Sequence, residues 1–134
     1  MKKSIIIILS IIITFIFLKS IFENPTFKGF YQSEANGYHI QMLIREKDNS
    51  FVEWIDNREV DRGTFEKFDT CSYRIKSSKQ NFEITLNDDN SFEMIIKKLN
   101  NGNSIKMKNV SEDDTPFSFG NGFDDIDEYK SLLD

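Results

Sequence analysis

The chain has 134 residues, with 17 basic and 22 acidic side chains and a formal net charge of −5. That length argues for one domain, and the acidic balance excludes the basic patch by which a nucleic-acid-binding domain shows itself. With one cysteine, Cys71, there is no intramolecular disulfide, so a small hydrophobic core must hold the fold unaided.

The first segment differs from everything after it. Lys2 and Lys3 precede an apolar run from Ile5 to Leu18, and no charge occurs until Lys19. Such a pattern fits either a cleaved secretory signal or an uncleaved anchor. The run is short, as in a signal. Against cleavage, Leu18-Lys19-Ser20 lacks the small residues that a signal peptidase needs, and Ile21 and Phe22 lengthen the apolar stretch if Lys19 snorkels. Either way, the lysines hold the N-terminus inside and leave the rest of the chain outside the cytoplasm. Residues 1–22 are thus expected to be a transmembrane or signal helix, and 23–26, with Pro25, a linker. The portion beyond residue 22 holds 14 basic and 22 acidic residues, a net of −8, and −7 of this lies in residues 111–134.

From Phe27 the sequence breaks into short alternating segments separated by Asn, Asp, Ser and Gly. Phe27–Ser33 ends at the turn Ala35-Asn36-Gly37. Tyr38, Ile40, Met42 and Ile44 alternate with His39, Gln41 and Arg45. Phe51–Ile55, Glu59–Lys67, Tyr73–Lys76, Phe82–Leu86, Phe92–Lys97 and Ile105–Lys108 follow, each bounded by turn residues. The period of two and the turn spacing predict about eight strands in an antiparallel meander over residues 27–110, an all-β, barrel-like domain. Asn100-Asn101-Gly102-Asn103 tolerates the left-handed backbone of a tight hairpin turn.

Residues 111–134 form an acidic tail. Phe117 and Phe119 are expected to tether it to the domain. Residues 124–133 read as a short C-terminal helix, with Asp125 and Glu128 spaced as in a capping box. Its apolar face (Ile126, Tyr129, Leu132, Leu133) is expected to dock on the strands.

Gly29-Phe30-Tyr31 at the first strand, Gly63-Thr64-Phe65 further on and the eight-strand meander resemble the lipocalin-like (calycin-like) small barrels of secreted or membrane-anchored bacterial proteins. Tyr31 stands where that family usually carries Trp. The resemblance implies a closed barrel, either filled or holding one small apolar ligand.

No catalytic constellation emerges. His39 is the sole histidine and sits on a presumed polar strand face, so a His/Cys metal set is excluded, and no Gly-x-Ser-x-Gly elbow occurs. No cofactor or metal is implied: Asp124-Asp125-Ile126-Asp127-Glu128 lacks the ligand spacing of a calcium loop. The aromatic residues either fill the core or line a ligand cavity, in which case Tyr38, Trp54 and Tyr73 are the ligand-binding candidates. The functional expectation is a non-catalytic cell-envelope module that binds a protein or surface component. The alternatives are a lipocalin-like carrier of an apolar molecule and an enzyme built on His39.

Overall fold

The computed structural model describes residues 2–21 and 25–134, with side chains at 19–21 left aside. The junction expected at residue 22, the start of the linker and the snorkelling of Lys19 lie outside what is described.

Helix α1 (Lys2–Ile21) forms where the sequence puts it. It has no polar face, and its apolar side chains from Ile5 to Leu18 stand exposed. Its uncharged stretch from Ser4 to Leu18 rises only about 22 Å, short of the ~30 Å hydrocarbon layer. Among the described residues, no helix is long and apolar enough to cross a membrane. Of the expected transmembrane or signal helix, the structure therefore gives the helix but not a full span.

The remainder is an eight-stranded antiparallel sheet curled into a nearly closed barrel. Its strands are β1 (Gly29–Ala35), β2 (Tyr38–Arg45), β3 (Ser50–Ile55), β4 (Arg58–Asp69), β5 (Ser72–Ser77), β6 (Asn81–Thr85), β7 (Phe92–Met94) and β8 (Ile105–Ser111). The hydrogen-bonded order is β6-β5-β4-β3-β2-β1-β8-β7. The first and last strands thus pair, while β6 and β7 touch without a ladder and leave a seam. The turns are set by residues that accept positive φ: Asn36 and Gly37 between β1 and β2, and Asp56 and Asn57 between β3 and β4. Asn100, Asn101 and Gly102 are left-handed too, but they sit in a longer loop with a single 3₁₀ turn rather than in a two-residue hairpin.

Alternation sorts the side chains. In β2, Ile40, Met42 and Ile44 enter the core, and in β3 Phe51 and Ile55 do so opposite them. Phe27 plugs one end of the barrel. Its ring, 1% exposed, meets Tyr31, Phe65, Tyr73 and Phe92 at 4.8–5.8 Å. The opposite end is capped by the C-terminus, where α2 (Ile126–Lys130) and a following 3₁₀ turn bring Tyr129, Leu132 and Leu133 against the core.

Gly29 and Gly63 are steric requirements. A Cβ at Gly29, whose φ is +98°, would lie 2.0 Å from the Ser111 carbonyl oxygen. A Cβ at Gly63 would lie 2.2 Å from the Lys76 carbonyl oxygen and 2.9 Å from the Phe51 ring. Glycine there lets one strand lie close against its neighbour.

The expected capping box does not form. Asp125 stands at the N-cap of α2, but its side chain makes no cap hydrogen bond. Its carboxylate instead takes a bidentate pair from Arg58, Nε to Oδ1 at 3.0 Å and Nη2 to Oδ2 at 2.9 Å. The Arg58 guanidinium is sandwiched between Phe123 and Tyr129, at 4.2 and 4.6 Å from the ring centres. A planar fork suits both contacts at once. The guanidinium holds the Asp125 carboxyl below the usual carboxylate range, chiefly through the hydrogen bond. Tyr129 completes the dock by donating its hydroxyl to Asp56 Oδ2 at 3.0 Å.

Candidate functional site

Tyr38, Trp54 and Tyr73 do not converge. Tyr38 is half-buried at the capped end, 5.8 Å edge-to-face from Tyr129. Tyr73 belongs to the core near the other end, against Phe27 and Phe65. Trp54 pairs with Gln41 across β2 and β3, both being outward positions, so its indole lies on the outside of the wall. It is nonetheless 3% exposed, because Phe117 and Phe119 of the tail cover it.

The inward positions are occupied. Twenty buried hydrophobic side chains form one continuous cluster through the barrel, from Phe27 to Leu133. With ring-to-ring contacts at van der Waals range, these side chains pack as a core.

Among the described residues, a buried carboxyl pair reaches this interior that alternation places there but composition does not reveal. Glu53 shares the inward face of β3 with Phe51 and Ile55 and is fully buried. Asp61, its cross-strand partner on β4, is nearly so. Gln80 bridges them: its Nε2 donates to Glu53 Oε2 and to Asp61 Oδ2, each at 2.8 Å. Asp61 also accepts from the Ser77 hydroxyl at 2.7 Å and the Arg62 amide at 2.9 Å. Both of its oxygens have donors. Glu53 lacks this, for its Oε1 meets none. Burial pushes the Glu53 carboxyl up to about 7; the Gln80 hydrogen bond opposes this and the Asp61 charge adds to it. The cluster also builds the β5–β6 turn. The backbone N–H groups of Lys79 and Gln80 donate to Ser77 Oγ, whose own proton goes to Asp61. A carboxylate at alternate spacing between Phe51 and Ile55 was the available signal.

The largest cavity described, about 520 Å³, is a groove along the seam. Gln80 and Phe82 line it from the β6 side, Met94 and Ile95 from the β7 side, and Leu133 where the cap reaches it. Ile95 is 56% exposed. The seam-facing edges of β6 and β7 lack a paired strand, the arrangement to which an extended chain adds.

His39 points outward. Its Nδ1 lies 3.4 Å from Glu34 Oε1, and its backbone N–H donates to Asp56 Oδ1 at 2.8 Å. Those partners place it in a surface contact at a hairpin. Cys71, in the β4–β5 turn, is partly buried against the core. Among the described residues, no group of three or more His, Cys, Asp or Glu side chains is placed to hold a metal ion.

No family model matches this chain, and neither does any curated protein or solved structure.

Proposed function

We propose that this chain is a non-catalytic binding module of the cell envelope, built on a lipocalin-like barrel and working through the barrel's outer surface. The observation that carries this reading is the contrast between a packed interior and a 520 Å³ groove on the outside, at the unpaired edges of β6 and β7. A carrier needs room inside; the occupant of this barrel is its own core. Barrel scaffolds host many functions, so the site and not the fold supports the assignment.

Location belongs to the same proposal. Helix α1 exposes isoleucine, leucine and phenylalanine on every side, a surface stable only in lipid or in transit through an export machinery. Lys2 and Lys3 orient it with the barrel outside. The module is then either tethered to the membrane by α1 or released after its cleavage, and the acidic tail keeps the far end away from anionic lipid.

Native mass spectrometry of the full chain, released from detergent, tests the packed interior. The expected result is the mass of the bare polypeptide. A stoichiometric small molecule that is neither lipid nor detergent would overturn the reading in favour of a carrier. A photoreactive residue at position 95 on intact cells is expected to give a discrete adduct with an envelope component. The same residue at position 76, on the exposed outer wall, is expected to give none.

A further inference from the structure

The β2–β3 wall carries a second surface, on its outward positions. Leu43, Val52 and Trp54 form an apolar platform there. Leu43 and Trp54 are 1% and 3% exposed, although both point away from the core. Trp54 is buried beneath the tail, where Phe117 lies parallel to the indole at 5.0 Å and Phe119 meets it edge-on at 5.4 Å. Phe117 also reaches Phe30 at 5.6 Å.

The cover is held far less firmly than the platform is buried. Phe117 and Phe119 are themselves 44% and 37% exposed. Residues 112–123 form no helix or strand. The hydrogen bonds described for residues 113–120 are local turns, save one, from the Glu46 amide to Asp114 Oδ2 at 3.2 Å, and that one is solvent-exposed. Between the strap and the wall remains a cavity of about 230 Å³, bordered by Trp54, Asn57, Phe117 and Asn121. Gln41, on the same outward face and bonded through Nε2 to Asn57 Oδ1, keeps a buried Oε1 with no donor. A fitted cover would fill that space and satisfy that acceptor.

We propose that this platform is a docking site for an extended segment of a partner protein carrying two aromatic side chains two residues apart, and that the Phe117-Ser118-Phe119 strap occupies it until the partner arrives. The inference rests on the surface-acting reading above. The strap itself defines the ligand. Residues two apart on an extended chain project to the same side, which delivers two rings to one indole. An amide N–H of the incoming segment supplies the donor that Gln41 Oε1 lacks. Because the strap competes, the apparent affinity of the free protein falls with the fraction of molecules whose strap is lifted.

Trp54 is the sole tryptophan, so its emission reports on the platform directly. The test uses the full chain in detergent, wild type and the double variant Phe117→Ala/Phe119→Ala, titrated with a synthetic peptide of residues 115–120. Both rings are half-exposed, so the variant is expected to keep its far-UV circular dichroism. Its Trp54 emission should shift to the red, and the peptide should reverse that shift saturably. Wild type should bind the peptide about tenfold more weakly or worse. A peptide with both phenylalanines replaced by alanine should do nothing. Unchanged emission in the variant, no reversal by the peptide, or equal binding to both proteins would overturn the proposal. Reversal of wild-type behaviour by raising the chain's own concentration would overturn it in favour of a second copy as occupant. A failure of the surface-acting reading is separable: it appears as a small molecule in the native mass spectrum, whatever Trp54 does.

Discussion

The two faces of the β2–β3 wall are built from neighbouring residues and behave as different materials. On the inner face, Met42, Phe51 and Ile55 are at most 1% exposed and locked among side chains from several strands and both plugs. On the outer face, Trp54 is almost as buried, but under one strap whose rings are themselves half-exposed and whose single described hydrogen bond to the barrel is accepted by the Asp114 side chain. Burial alone does not measure how firmly a surface is closed. What separates the faces is how many independent elements contribute to the cover.

Substitutions on the inner face should unfold the barrel, and those on the outer face should only open it. The largest effect is expected from Phe27→Ala, which empties the plug between Tyr31, Phe65, Tyr73 and Phe92. A loss of ~3–5 kcal/mol in a denaturant titration is expected for a buried aromatic truncation.

Glu53 comes next and carries a sign. Its carboxyl is raised from 4.5 to about 7 in the folded chain, so between those values the folded state holds more proton than the unfolded one. Its contribution is complete below pH 4.5 and is lost as pH rises towards 7. The swing is on the order of 3 kcal/mol. Glu53→Gln keeps the shape and removes the charge. The variant should be more stable than wild type at pH 8, and its stability should vary less between pH 4.5 and 7. Equal pH profiles for the two proteins would show that Glu53 does not hold its proton there.

Gly63→Ala should cost about 1–3 kcal/mol, the range for overpacking, because its Cβ meets the Lys76 backbone and the Phe51 ring. The smallest effect on the barrel is expected from Arg58→Ala. It removes the fork that holds Asp125 and the cation between Phe123 and Tyr129. Limited proteolysis should then cut residues 112–134 sooner, while the strands keep their protection. In wild type, the depressed Asp125 carboxyl keeps that clamp present above the ordinary carboxylate range and releases it only as pH falls below it.

Much of the barrel was legible in the sequence, because alternation and turn chemistry are local. Asn36-Gly37 and Asp56-Asn57 fix hairpins by their own backbone preferences, and eight strands were expected where eight are found. The seventh was read too long. Ile96 and Leu99 are buried, but from the loop that follows Met94, and burial there imitates strand periodicity. Strict alternation also contained two facts that were missed. With Phe51 and Ile55 inward, Glu53 must be inward and Trp54 outward. Trp54 was grouped with the core aromatics on chemistry alone. What the sequence could not give is non-local: that β1 pairs with β8 so that the seam falls between β6 and β7, that Arg58 takes Asp125 from its capping role, and that the tail covers the Trp54 platform.

Hydrogen–deuterium exchange of the full chain, read by mass spectrometry, tests the contrast between the two faces most directly. Amides of β2, β3 and β4 are expected to exchange slowly, near the global unfolding limit, while those of residues 115–122 exchange almost as in an unfolded peptide although Trp54 beneath them stays buried. Slow exchange in both, with the strap as protected as the strands, would contradict the account and make the outer face as fixed as the core.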